Sequence, residues 1–257
     1  MGFAKILLSS CLALSLLASV GCGSKSKHGK RALAPLSAPA WRVDLPVKGF
    51  GPATLALPLG ATSARPIVVV LHGAHDRAEW QCGSFRGLLG GRVFILCPQG
   101  VASGEGGFYG LGSVDDSVAE LRAGLAALKA RFGAHVAASP ILLIGYAEGA
   151  AVAADLARQE PAFFARVALV RGNPAAFSAS ATKIFAERGG KRVLFFCTDD
   201  SCDANAGERA LLLTRLGVAA KSVRADAGPY LDQGFVDALR GQLPWLVEGD
   251  ARFVKTK

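Results

Sequence analysis

The chain is short of charge. Asp, Glu, Lys and Arg make up 19% of its 257 residues, while 51% are hydrophobic. A disordered tail protein needs the reverse balance, and a coiled coil needs more charge on its outer positions. Acids are missing from both ends, since all 20 lie between Asp44 and Asp250. Eight of the 29 bases sit in the tails: Lys5, Lys25, Lys27, Lys30, Arg31, Arg252, Lys255 and Lys257. Residues 32–251 therefore hold 21 bases against 20 acids, so the formal charge of +9 belongs to the tails. A nearly neutral body excludes a nucleic-acid groove. The leading apolar run, residues 6–20, has only 15 residues, against about 20 for a bilayer-crossing helix. No C-x-x-C pair occurs, which argues against a tetrahedral zinc site. The glycine-rich segments carry no Walker or dinucleotide fingerprint, so no metal and no cofactor is expected.

Residues 1–5 place one lysine ahead of the apolar run, the layout of a secretory leader. The run closes as Leu17-Ala18-Ser19-Val20-Gly21-Cys22. This ending resembles a bacterial lipobox, departing from it at Ser19, where the family usually has Leu. The resemblance implies a signal over residues 1–21, a lipid on Cys22, and attachment to a membrane of the cell envelope. Ordinary cleavage between residues 18 and 23 is the other reading, and gives a soluble secreted or periplasmic protein. Residues 22–39 are Gly, Ser, Lys, Ala and Pro without periodicity, the composition of a flexible tether. Its four bases would lie beside an anionic membrane surface. Residues 251–257 form a second basic tail.

Apart from Cys11 and Cys22, four cysteines remain: Cys82, Cys97, Cys197 and Cys202. An even number in an oxidising compartment suggests two disulfides, and three pairings are possible. Nearness in sequence favours Cys82–Cys97 and Cys197–Cys202.

The body, residues 40–250, reads as one domain. Residues 66–71, 92–96, 140–144, 166–170, 191–196 and 220–224 form short apolar runs, most of them without alternation. Such runs suit parallel strands buried on both faces. Helical spacing marks residues 115–132, with Ser113 or Asp115 as N-cap, and residues 148–158, 204–216 and 232–243, with Pro244 as the final stop. Residues 41–47 and 53–57 look like an antiparallel edge hairpin. The alternation predicts an α/β fold, a mostly parallel central sheet with helices on both faces and an antiparallel N-terminal edge.

One stretch says more. The run of residues 141–144 enters Gly145-Tyr146-Ala147-Glu148-Gly149 and then an alanine-rich helix. This resembles the nucleophile elbow of the α/β-hydrolase superfamily, Gly-x-Ser-x-Gly, where glycines permit a strained turn that lifts one side chain above the sheet. About 70 residues earlier a strand ends in His72-Gly73, and the next ends in Cys97-Pro98-Gln99-Gly100, as in small exported esterases of that superfamily. The resemblance covers roughly residues 40–250. It implies an oxyanion hole from the backbone amides of Ala74 and Glu148.

The same resemblance exposes what is missing. Ala147 stands at the nucleophile position, and a methyl group cannot attack a carbonyl. The acid slot offers Asp199 and Asp200, which could equally cap the next helix. The catalytic histidine should follow the last strand, near Pro229, yet the four histidines are His28, His72, His75 and His135. The resemblance thus implies a non-catalytic pseudo-hydrolase that binds a ligand or a partner. The alternative is an esterase-like hydrolase using other residues, for instance Glu148 activating a water. A helix N-terminus would stabilise the Glu148 charge and weaken it as a base, so a plain helix acid is the better reading, with His72 a packed turn residue. Residues 101–113, with Phe108 and Tyr109, could cover a small apolar or aromatic ligand, or be pinned by their own side chains. The sequence names no protein partner.

Overall fold

The computed structural model describes residues 32–104, 106–138, 141–226 and 232–253. The leader, Cys22, the first part of the expected tether, Pro229 and the last four residues lie outside the described residues. Among the described residues, no helix is long and apolar enough to cross a membrane.

A hairpin of β1 (Arg42–Leu45) and β2 (Ala53–Ala56) opens the sheet. Then follow β3 (Ile67–Leu71), α1 (Ala78–Leu89), β4 (Phe94–Cys97), a small hairpin of β5 (Val101–Ala102) and β6 (Tyr109–Gly110), and α2 (Val114–Phe132). The second half alternates β7 (Leu142–Tyr146), α3 (Glu148–Gln159), β8 (Arg166–Val170), α4 (Ala179–Glu187), β9 (Arg192–Cys197), α5 (Asp200–Arg215), β10 (Ala219–Arg224) and α6 (Gln233–Leu246). The eight-stranded sheet has the order β1-β2-β4-β3-β7-β8-β9-β10. Its first two pairings are antiparallel and the other five parallel, as the sequence predicts.

The apolar runs work because both faces are covered. Ile67, Val69 and Leu71 of β3 face a core closed by α2, α3, α4 and α5. Val68 and Val70 face the other core, closed by α1 and α6. Strand alternation thus sends successive side chains into two separate apolar layers.

Five expectations need correcting. Helix α1 is not foreseen, because Gly83 and Gly87 interrupt it and Arg77, its N-cap, makes no side-chain cap; burial of Cys82, Phe85, Leu88 and Leu89 holds it instead. The short α4 is likewise missed, and starts on a capping Ser178. Helix α5 begins four residues early because Asp199 caps it. Pro244 does not stop α6, which runs on to Leu246. A proline in the last turn removes one donor near the end of the ladder, and the buried Leu246 keeps the turn in place. Within the stretch expected as tether, Leu33 and Leu36 donate to the carbonyls of Thr62 and Ala61, and Leu36 is buried. Those residues are tied to the body.

Both disulfides have the local pairing, Cys82–Cys97 and Cys197–Cys202. The first fastens α1 to β4, and the second ties the end of β9 to the first turn of α5.

Candidate active site

The elbow is built from backbone necessity. Ala147, between β7 and α3, has φ 51° and ψ −116°, a conformation that costs any residue with a Cβ. Its amide donates to the Val170 carbonyl at 2.9 Å, holding the turn against β8. A Cβ on Gly145 would lie 2.2 Å from the Gly149 carbonyl oxygen, and one on Gly149 would lie 2.5 Å from the carbonyl oxygens of Leu71 and His72. Only glycine fits at either position. The loop after β3 also comes near, since a Cβ on Gly73 would lie 3.3 Å from the Ala147 Cβ. Glu148 directly follows Ala147 and Ala74 directly follows Gly73, so the two expected oxyanion donors sit on converging segments. As the first residue of α3, Glu148 has an amide with no intrahelical acceptor.

The histidines divide into two kinds. His72 is fully buried, with Nδ1 2.7 Å from the Gly73 oxygen and Nε2 2.9 Å from the Gln99 oxygen. It locks the ends of β3 and β4 together. Beneath it, buried Glu120 accepts the Gln99 and Gly100 amides at 3.0 and 3.1 Å. Burial pushes the Glu120 carboxyl above its usual range, opposed by those two amides and by His72. His75 faces outward, and its Nδ1 lies 3.2 Å from the Ser103 hydroxyl.

The described residues of 101–113 are held by Asp76, Arg77 and Trp80. Tyr109 and Asp76 exchange backbone hydrogen bonds of 3.0 and 3.2 Å. The Arg77 guanidinium sits 5.1 Å from the Phe108 ring centre and 5.2 Å from that of Trp80, and donates to the Gly106 carbonyl at 2.6 Å. Phe108 is thereby committed to structure. The hairpin still borders the elbow, since a Cβ on Gly110 would lie 3.9 Å from the Glu148 carboxylate.

The acid slot is structural. Asp199 accepts the Cys202 amide at 2.8 Å as the cap of α5, and Asp200 pairs with Arg224 at 3.0 Å. Neither contacts a histidine among the described residues. Sequence reasoning missed Arg171, just past β8, which donates to Thr198 and to the Tyr146 hydroxyl, each at 3.1 Å. It stitches the ends of β7, β8 and β9 beside the elbow. The available signal was an arginine set directly after a wholly apolar strand, at the sheet end that carries the elbow. The four disulfide-bonded cysteines are lost as thiolate ligands. No group of three or more His, Cys, Asp or Glu placed to hold a metal occurs among the described residues.

A parallel sheet crossed once by an antiparallel edge, with a strained elbow between its fifth strand in sheet order and the following helix, decides the architecture. The chain has the α/β-hydrolase fold. Among solved structures it is similar to a Klebsiella pneumoniae protein assigned as a dienelactone hydrolase, with 17% identity and TM-score 0.61 over 80% of this chain and 97% of that one. It is also similar to FphF, a fluorophosphonate-binding serine hydrolase of Staphylococcus aureus, with 10% identity and TM-score 0.57 over 80% and 96%. A Bacillus cereus carboxylesterase matches with 17% identity and TM-score 0.53 over 74% and 91%. At these identities the likeness is one of fold. No family model matches the chain, and no curated protein matches it.

Proposed function

We propose that this α/β-hydrolase-fold protein is exported, held in the cell envelope by a lipid on Cys22, and binds a carbonyl-bearing ligand at the elbow without turning it over. The observation that carries the reading is the methyl of Ala147 in the nucleophile's strained place, in a chain with no histidine after His135. Backbone amides at Ala74 and Glu148 supply donors that need no side chain. An oxyanion hole and binding alone leave an acceleration of about 10³–10⁴ over water, far below a working esterase.

A second reading, an esterase acting on carboxylic esters, rests on the Ser103–His75 contact. A hydroxyl 3.2 Å from an imidazole nitrogen is the spacing of a nucleophile and its base, and the structural neighbours include a carboxylesterase and a serine hydrolase. Among the described residues no acid is bonded to the pair: Asp76, the nearest in sequence, accepts from the Arg77 amide and from Gln81.

One experiment separates the two: hydrolysis of p-nitrophenyl esters by the purified protein, with fluorophosphonate labelling located by mass spectrometry. The expected outcome is no turnover and no label in the natural protein, with label appearing at residue 147 in Ala147→Ser/Pro229→His, which restores both a nucleophile and a histidine. Label on Ser103, with turnover lost in Ser103→Ala, would establish the esterase and end the first reading. Membrane attachment is checked separately by extraction: detergent should release the protein, and release by salt alone would rule out the lipid.

A further inference from the structure

The opposite end of the sheet carries a feature that the elbow does not use. Strands β3 and β4 are parallel, with Ile67 beside Phe94, and the Phe94 amide donates to the Pro66 carbonyl at 3.0 Å. Just ahead of these strands, Arg65, bridged to Val136, and Arg92, in the turn before β4, each add a positive side chain at this end of the sheet. Neither arginine has an acidic partner among the described residues, and the Arg65 Nε is buried with no hydrogen-bond partner. The Arg65 backbone is fixed, donating to the His135 carbonyl and accepting from the Ala137 amide, both at 2.8 Å.

These two guanidiniums open onto a cleft of about 760 Å³ between α1 and α6, with Leu88, Leu89, Leu243, Val247 and Phe253 on its walls. The other charges there are already engaged. Arg252 holds Asp250 and the Ala138 carbonyl, Arg240 pairs with Asp237, and Glu248, the one acid lining the cleft among the described residues, pairs with Arg192 at 2.7 Å. What remains uncompensated is a pair of positive forks at the mouth of an apolar trough.

We infer that this cleft binds a long-chain carboxylate, with its head held by Arg65 and Arg92 and its alkyl tail laid against α1 and α6. A guanidinium presents donors in a planar fork that matches a carboxylate bidentately. An anion there gives both arginines the acidic partner that the described residues do not supply. The trough is concave and of a size suited to one small molecule, which favours a single chain over a bilayer surface. The site lies at the amino ends of the strands, away from the elbow, and does not rest on the function proposed above.

The test is calorimetric titration of the full-length protein with octanoate, decanoate and dodecanoate below their micellar concentrations. Affinity should rise about 3- to 4-fold for each methylene buried. Dodecanol, with the tail alone, and acetate, with the head alone, should each bind at least tenfold more weakly than dodecanoate. Arg92→Gln and Arg65→Gln/Arg92→Gln should weaken dodecanoate at least tenfold, with circular dichroism and thermal melting confirming that the fold is kept. Dodecanol equal to dodecanoate would make the cleft merely greasy and overturn the inference. So would undiminished binding in the folded double variant, which would place the ligand elsewhere, or no saturable binding at all.

Discussion

Ala147 holds φ 51° and ψ −116° with a Cβ attached, although glycine would adopt those angles without penalty. Such strain costs about 1–3 kcal/mol. Replacing alanine by glycine loosens the unfolded chain by about 0.4–1 kcal/mol in the other direction. Ala147→Gly is therefore expected to raise stability by about 1 kcal/mol, read as a higher urea midpoint at unchanged slope. A lower midpoint would mean that the methyl contacts, including the approach of Gly73, outweigh the strain. At this scale the site is partly legible in the sequence. Gly145 and Gly149 announce the elbow because they stand at fixed spacing between an apolar run and an alanine-rich helix, although the contact that requires Gly149 is with the distant backbone of Leu71 and His72. Arg171 and the Ser103–His75 contact are not legible. Their partners lie 25 to 28 residues away, and only the fold brings them together.

At the scale of elements, legibility follows burial. Strands sealed on both faces read directly as apolar runs, and β3, β7 and β8 lie within a residue or two of where the sequence puts them. Helix α1 escapes because its stability comes from packing and from the Cys82–Cys97 bond, with two glycines working against it. That bond should matter accordingly. It spans 15 residues while Cys197–Cys202 spans five, and the loop-closure model gives about 3 and about 2 kcal/mol. Cys82→Ala/Cys97→Ala should lose the larger amount in guanidinium denaturation, and Cys197→Ala/Cys202→Ala the smaller. The reverse order would place the weaker packing at the start of α5, where Asp199 would then be an insufficient cap.

Across the whole molecule the charge is nearly balanced in number but not in space. Arginines 65, 92, 166, 192, 240 and 252 gather at the amino ends of the strands and around α6, a clustering hidden in the sequence because they are spread over almost two hundred residues. One acid anchors part of it. Asp250 is nearly buried, bonds Arg252 at 2.5 Å and sits 3.7 Å from buried Arg166 at the start of β8, joining the C-terminal end to the central sheet. The hydrogen bond from Arg252, against the opposing cost of burial and with further help from Arg166, holds the Asp250 carboxyl below its usual range. A depressed carboxyl contributes stability that is complete above the ordinary aspartate range and lost as pH falls through its folded value. Glu120 acts with the opposite sign, since its raised value favours the protonated form in the fold and costs stability as pH rises. Asp250→Asn leaves Arg166 buried beside a neutral amide, an uncompensated charge that costs about 3 kcal/mol at neutral pH. The difference between variant and natural protein should shrink on acidification and vanish once Asp250 is protonated, measured by thermal melts stepped from pH 7 downward. A difference that stayed constant with pH would mean that Asp250 acts by shape and hydrogen bonding alone, and that the arginines at this end of the sheet tolerate one another without it.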